Sequence, residues 1–422
     1  MSQPTLFFNL SSKILPFDLE LLPMPAYLVG GMVRDSLLNY QQNYLDLDFV
    51  LPELVIETAK KISNQYNAGF VVLDAERKIA RVVFEQGTVD FAQQEGDTIE
   101  TDLRRRDFTI NAIAYNFHQQ QVIDPLNGLE DLQTKTIRMI HVKNLQDDPL
   151  RLFRAYRQAA QLKFKIDPKT RQTIVQLSSL ITQVATERVQ TELNYLLGNS
   201  RGSYWLSEME KDGLLKIHFP HINHDNLQLL KEIDRVLELL LNKLKETEFK
   251  SFFNLQDNQE IYKSSLIQRA RLTCLVSNNT EIAKRELMNL KYSNQDIKAI
   301  LNILSHLPWL RGNQQNISFK NLYFLFLELG DNFPIFALVA LAKKVNNQLI
   351  FKLIDHYLNP QDKVAHPIAL ITGHDLIKNL NMKPSPQLGQ LLTEVSIAQV
   401  EGKISTKEEA LNFARHSLKN WS

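Results

Sequence analysis

The hydrophobic period changes near residue 145, and that change decides most of what this chain can fold into. Before it, short runs rich in β-branched and aromatic residues follow one another: AYLV (26–29), YLDLDFVL (44–51), FVVLD (70–74), ARVVFE (80–85), TVDFA (88–92) and QVIDP (121–125). Helical pieces such as MVRDSLLN lie between them, a pattern that predicts a sheet with helices against it. After it, apolar residues recur at three- and four-residue spacing in RLFRAYRQAAQL, TELNYLL, LLKEIDRVLELLLNKL and NLYFLFLELG, and strands are no longer predicted. The expected fold class is therefore α+β and multidomain, an N-terminal α/β domain followed by an all-helical remainder. Breaks are predicted near residues 198–203, 249–260, 307–316 and 358–367. A length of 422 residues allows two to four domains at roughly 100–200 residues each.

Composition narrows the function classes. The formal net charge is +1, so a nucleic-acid surface would have to be local rather than global. The single cysteine, Cys274, excludes an intramolecular disulfide framework and a cysteine-cluster metal site, and fits a reducing compartment. The N-terminus, MSQPTLFFNLSSKILPFDLE, has no basic segment followed by a long apolar one, and no run approaches the ~20 apolar residues of a membrane span. The expectation is a soluble, cytoplasmic protein without a membrane partner.

Four segments carry candidate chemistry. In AYLVGGMVRDSLLN (26–39) a strand meets a helix through Gly30 and Gly31, whose backbone can approach a ligand with no Cβ in the way. The helix start and Arg34 suit an anion; a plain strand–helix turn with a surface arginine is the bland reading, which this segment alone favours. Directly afterwards, Asp46 and Asp48 stand two positions apart in an apolar strand. They would project from one face about 7 Å apart and repel unless a cation or water lies between them. Two carboxylates beside a phosphate cradle suit Mg²⁺, which takes carboxylates plus substrate phosphates, and Asp90 of TVDFA offers a third acid.

The third segment, DLRRRDFTINAIAYN (102–116), supplies Arg106, Asp107 and Asn111 ahead of what reads as an apolar helix start. A fork donor, an acceptor and an amide fit the triphosphate and ribose of a nucleotide; an exposed basic turn is the bland reading. In the fourth, QDDPLRLFRAYRQAAQLKF (146–164), Pro149 sits at a helix start with Asp148 as its natural N-cap, and Arg151, Arg154 and Arg157 follow at spacings of three. Between residues 143 and 188, nine Lys/Arg stand against four Asp/Glu.

GGMVRD, DLDF, RRRDFTINA and DDPLRLFRAYR occur in that order, supported by IDPLNGLEDLQTKTIR (123–138) and TERVQTEL (186–193). On these motifs the chain resembles the class II tRNA nucleotidyltransferase and bacterial poly(A) polymerase family, part of the polymerase-β-like nucleotidyltransferase superfamily. The resemblance covers roughly residues 25–195, and ITGHDLIKNLNMKPSPQLGQLL (371–392) is similar to the family's tail more weakly. It implies a head over 1–140, a helical neck over 141–200, a body over 201–310 and a tail over 311–422. It also implies Mg²⁺ on Asp46 and Asp48 with Asp90 as third carboxylate. Gly30, Gly31 and Arg34 would then hold triphosphate, and Arg106, Asp107 and Asn111 would meet triphosphate and ribose. Asp148 and Arg151 would read the incoming base, supported by Arg154 and Arg157 and braced by Glu187, Arg188 and Glu192, with Arg188 and Glu192 an i,i+4 pair. The family's acidic pair usually begins with Glu; here it is Asp147.

Such an Asp–Arg pair can select bases on chemistry alone. Cytosine and adenine both present an amine beside an acceptor, whereas uracil and guanine would set a carbonyl against the carboxylate. The family divides further into CCA-adding, CC-adding and A-adding enzymes and poly(A) polymerases, and A addition is associated with a flexible loop before the RRD motif. Here residues 91–104, FAQQEGDTIETDLR, form a short connection. The expected activity is CC addition to the tRNA 3′ end from CTP, with a separate A-adding enzyme finishing the product. Full CCA addition with CTP and ATP is the alternative. Poly(A) synthesis, A addition, an inactive RNA-binding module and a hydrolase built on His374–Asp375 are weaker readings.

Overall fold

The computed structural model of the protein describes residues 15–40, 45–257, 259–312 and 317–421. Residues 1–14, on which the expectation about a leader rests, and residues 313–316 of the third break lie outside the described residues. The chain forms two compact units. One reaches Glu192 and takes in Lys211–Leu214; the other comprises Leu193–Glu210 and the chain from Leu215 onward.

The first unit is built on seven strands: β1 (Tyr27–Val29), β2 (Leu45–Leu51), β3 (Gly69–Asp74), β4 (Ile79–Phe84), β5 (Gly87–Gln93), β6 (Ala114–Asn116) and β7 (Gln121–Ile123). Their order is β3-β4-β5-β2-β1-β6-β7. β2 and β5 run parallel, and the other pairs are antiparallel. Helix α1 (Gly31–Leu37) follows β1, and α2 (Val55–Tyr66) follows β2. Val55, Thr58, Ala59 and Ile62 of α2 are buried at i, i+3, i+4 and i+7, the spacing of one helix face.

β2 is the middle strand of the sheet, which explains how it can be both apolar and acidic. Leu47, Phe49 and Leu51 are buried on one face, where Phe49 stacks on Phe91 of β5 at 5.6 Å. Phe17 and Phe117 close the same aromatic cluster. Burial of each such side chain is worth roughly 1.5–3 kcal/mol. Asp46, Asp48 and Val50 take the other face by the two-residue period. Val50 packs there with Ile99 and Leu103 of α3 (Ile99–Arg104), so apolar packing covers one end of that face and leaves Asp48 half-buried and Asp46 exposed.

Three sequence expectations change at this level. Arg106–Asn111 leads not into an apolar helix but into a 3-10 turn, Thr109–Asn111, and then β6. The apolar residues here feed an interior strand, with residues 107–117 buried throughout. Strands also persist past the change of period: β8 (Thr136–Ile137), which follows α4 (Gly128–Gln133), pairs in parallel with β9 (Lys165–Ile166) across α5 (Val142–Asp147) and α6 (Leu150–Leu162). Finally, the N-cap of α6 is Pro149, and Asp148 is extended at the end of α5. Asp148 still accepts the Leu150 N–H, at 3.3 Å. The first unit continues through α7 (Pro168–Leu177) into α8 (Thr186–Leu197).

The second unit is helical: α9 (Gly202–Lys211), α10 (His224–Lys243), α11 (Glu246–Phe252), α12 (Ser265–Leu275), α13 (Thr280–Asn289) and α14 (Asn294–Gly312) come first. α15 (Phe319–Leu329), α16 (Phe333–Ala342), α17 (Asn347–Leu358), α18 (Gly373–Leu380), α19 (Pro386–Val400) and α20 (Lys407–Trp421) complete it. The break predicted from residue 307 begins later, since α14 continues through Pro308. Contrary to the sequence expectation, Phe319–Ala342 is long and apolar enough to cross a membrane by length and composition. Two thirds of its most apolar window is buried within the protein, and all ten residues of α16 are buried. A helix apolar on every side is what a core position requires.

Candidate functional site

The sheet register gathers acids on one face. Asp48 stands beside Asp90 and Asp46 beside Thr88 in the parallel β2–β5 pair, and Arg81 of β4 lies opposite Asp90. Asp46 accepts a hydrogen bond from the Thr88 hydroxyl at 2.9 Å. Both oxygens of Asp90 are taken by Arg81, at 2.6 and 2.7 Å. Burial, and then the charge of Asp46, push Asp48 up to about 6, against the opposing pull of Arg106. Asp48 is thus a carboxylate short of positive charge.

Gly30 closes this face. Its φ of +75° is one that side chains rarely adopt, and a Cβ there would lie 3.2 Å from Asp48 Oδ2 and 3.5 Å from Arg106 Nη1. The glycine therefore keeps a cradle open between a carboxylate and a guanidinium. Arg106 Nη2 reaches Asp102 at 3.3 Å, while its buried Nε has no hydrogen-bond partner among the described residues.

From this cradle a polar chain runs through the unit. Arg34 donates to Asp35 and, through Nη1, to Asn111 Oδ1, both at 2.8 Å. Asn111 Nδ2 donates to Asp107 at 2.8 Å and to Gln158 at 3.0 Å. Asp107 also accepts Arg154 Nε at 2.9 Å, and Arg157 donates to Glu192 at 2.5 Å. Burial alone would raise Asp107, but the charge of Arg154 and the Asn111 hydrogen bond outweigh it and hold the carboxyl at about 2. The predicted Arg188–Glu192 pair is replaced: Glu192 faces Arg157, and Arg188 grips Asp148 with both terminal nitrogens, at 3.2 and 3.0 Å. Glu187 is exposed.

Arg151 Nη1 donates to the Arg105 carbonyl at 2.7 Å and the Asn144 carbonyl at 3.0 Å. Beside it opens a cleft of about 1120 Å³, lined by Arg104, Arg105, Asp148, Arg151 and Arg188 among others. Burial first, and then the charges of Arg106, Arg151 and Arg77, lower Arg105. The structure therefore sets Asp46, Asp48, Asp90, Gly30 and Arg106 together. A network joins Arg34, Asn111, Asp107 and Arg154, and Asp148 and Arg151 line the cleft. Gly31 opens α1, where a Cβ would lie 3.7 Å from Arg34 Nη2.

Sequence reasoning missed Asp35, Arg81, Asp102 and Gln158. Two of these were within reach: Arg81 shares Asp90's face by strand alternation, and Gln158 lies four residues from Arg154 on α6.

The donor set fits a divalent ion of the Mg²⁺ kind. Among the described residues there is no closed cluster of three or more metal-ligating side chains. Asp46 and Asp48 instead offer an open carboxylate pair beside a cradle that Gly30 keeps clear, and such an ion completes its shell with water and phosphate oxygens. Enzymes of the nucleotidyltransferase kind generally work with a divalent metal.

Three stretches match known family models: the poly A polymerase head domain over residues 26–138, the "probable RNA and SrmB- binding site of polymerase A" over 163–226, and tRNA nucleotidyltransferase domain 2 over 261–414. The CC-adding tRNA nucleotidyltransferase of Synechocystis sp. is 51% identical over 402 residues, 95% of each chain. The CCA-adding enzyme of Lactobacillus delbrueckii subsp. bulgaricus is 30% identical, over 93% of this chain and 94% of that one. The solved Thermotoga maritima CCA-adding enzyme complexed with tRNA shares the fold, with a TM-score of 0.70 and 22% identity over 93% of this chain and 91% of that one. A mixed-sheet head carrying paired carboxylates, a helical remainder and likeness along nearly the whole chain agree, and the chain belongs to the family of tRNA nucleotidyltransferases and bacterial poly(A) polymerases.

Proposed function

We propose that this enzyme adds two cytidylate residues to the 3′ end of tRNA from CTP and stops there, a separate enzyme supplying the terminal adenylate. The observation that carries this reading is the short, pinned connection between β5 and α3. Only Gln94–Thr98 lies between these elements. The Glu95 backbone N–H donates to Asp102 at 3.1 Å, and the Glu95 side chain pairs with Arg105. A tethered turn of five residues leaves little room for a mobile loop, and the likeness to a CC-adding relative supports the same conclusion. Full CCA addition, with ATP as second nucleotide, is the alternative that the likeness to CCA-adding relatives favours.

In the reaction, the RNA 3′-oxygen bonds to the α-phosphorus of CTP as the bond to the β-phosphate oxygen breaks, releasing pyrophosphate, and the hydroxyl proton passes to solvent. Asp46 and Asp48 would hold Mg²⁺, which would offset their repulsion and supply charge stabilisation to the phosphoryl oxygens. Asp90, oriented by Arg81, is the third carboxylate. Gly30, Gly31, Arg34 and Arg106 receive triphosphate, and the Asp107–Asn111 pair is positioned for the ribose. Arg154 and Arg157 support that arrangement from α6. We read residues 1–140 as head, 141–200 as neck, 201–310 as body and 311–422 as tail. The buried, unbridged Cys274 suits a reducing compartment such as the cytoplasm.

Asp148 and Arg151 read the base. A carboxylate has about four lone-pair sites. Arg188 and the Leu150 N–H occupy three, leaving one on Oδ2 for an exocyclic amine. Arg151 has Nε and Nη2 left to donate. Asp46→Ala and Asp48→Ala should each abolish CMP transfer with the fold kept, by circular dichroism; substantial turnover in either contradicts the assignment. Asp148→Ala should cost ~1–3 kcal/mol of C-over-U discrimination, and unchanged selectivity would move base reading elsewhere.

A further inference from the structure

We infer that Asn144 is a positioning residue for base selection, the fixed point that registers the base-reading pair against the segment holding sugar and phosphate. This inference rests on the base-reading roles just given to Asp148 and Arg151. Asn144 lies in α5 and is 8% exposed. Its Nδ2 donates to two backbone carbonyls, those of Arg104 and Arg106, both at 2.8 Å. Its own carbonyl accepts Arg151 Nη1 at 3.0 Å and the Asp148 N–H at 3.4 Å. Arg151 Nη1 in turn reaches the carbonyl lying between those two, that of Arg105, at 2.7 Å.

Three consecutive carbonyls are thus held from one side, two by the Asn144 amide and one by the Arg151 guanidinium. The Arg104 carbonyl ends α3 and the other two lie in the turn beyond it, where backbone acceptors lack intrahelical donors. No other side-chain type of this size offers two N–H groups from one nitrogen together with neutrality, so the amide fits a pair of carbonyls that a carboxylate would repel. The consequence is geometric. Arg106 ends the clamped turn and Asp107 follows it directly, and Asp148 and Arg151 hang from the Asn144 carbonyl. A base presented by the first pair therefore meets the second at a fixed offset. Asn144 itself lies behind this frame and need not touch the nucleotide.

The test is steady-state CMP and UMP addition to a tRNA transcript lacking CCA, with wild type, Asn144→Ala, Asn144→Asp and Arg151→Ala, and thermal melting to establish that each folds. If Asn144 positions the readers, both Asn144 variants lower the CTP-over-UTP ratio of kcat/KM by ~10-fold or more, the scale of a misplaced reacting group. They do so while KM for tRNA is unchanged. Equal loss for both nucleotides, or an unaltered ratio in folded variants, overturns the inference and leaves Asn144 a structural residue. Arg151→Ala separates the two levels. An Arg151→Ala ratio equal to wild type refutes the base-reading assignment. A fall there without one at Asn144 refutes the positioning role alone.

Discussion

Asp48→Asn should make the head more stable while destroying its activity, and the gain should depend on pH. Asp48 is held at about 6 against an ordinary 3.8, chiefly by burial and then by Asp46. For an acid raised in the folded state, the penalty falls on the charged form. It is absent below the unfolded value, grows between 3.8 and 6, and is complete above 6. Two units at 1.36 kcal/mol each give ~3 kcal/mol of instability at pH 8. Asn removes the charge at nearly constant shape, so metal-free Asp48→Asn should show β2 and β5 amides better protected than wild type at pH 8, with the difference fading by pH 4. Hydrogen exchange of peptides spanning 45–51 and 87–93, read for both proteins at each pH, measures this locally. Adding Mg²⁺ should recover protection in wild type and not in the variant. Protection that is unchanged at pH 8, or a gain of equal size at pH 4, refutes the electrostatic account of the site.

The buried network makes the opposite prediction for Asp107. Its carboxyl sits at about 2, below the ordinary 3.8, so its contribution is present above 3.8 and lost as pH falls through 2. Asp107→Asn leaves Arg154 only its long 3.9 Å contact with Glu192 and should cost ~3 kcal/mol at pH 7, visible as a lowered melting temperature; an unshifted melt contradicts the network. Gly30→Ala forces a methyl to 3.2 Å from Asp48 Oδ2 at φ +75°, and should cut CMP transfer ~100-fold with tRNA affinity in a gel shift unchanged. Retained turnover would show that the cradle tolerates a side chain. Arg188→Ala breaks an exposed pair worth ~0–1 kcal/mol, so it should lower C-over-U selectivity and leave the melting temperature alone. The reverse pattern would make Arg188 merely structural.

Much of this was legible in the sequence because it rests on local period. The two-residue alternation of LDLDFVL already put both aspartates on one face, and the change of period near 145 already separated sheet from helices. What the sequence could not show was set by non-local pairing. Whether β2 was an edge or a middle strand depended on neighbours far along the chain. Asp148 reads as an N-cap beside Pro149, yet in three dimensions Arg188, forty residues away, is its stronger partner. Arg188 and Glu192 have the spacing of a helical ion pair, and each instead found a partner on another element, Glu192 in a buried pair with Arg157 and Arg188 in an exposed one with Asp148. The apolar run after Asn111 reads as a helix in the sequence because an interior strand and a buried helix look alike when every position is apolar.

The central claim is that this enzyme stops after two cytidylates. Purified protein with Mg²⁺ is given two tRNA transcripts, one ending before CCA and one ending in CC, each with CTP alone, ATP alone or both, and the products are resolved at single-nucleotide resolution. The account predicts extension by two on the first transcript, no extension on the second, and no change when ATP accompanies CTP. Extension by three, with A added to the transcript ending in CC, would contradict it and make the protein a complete CCA-adding enzyme despite its tethered β5–α3 turn.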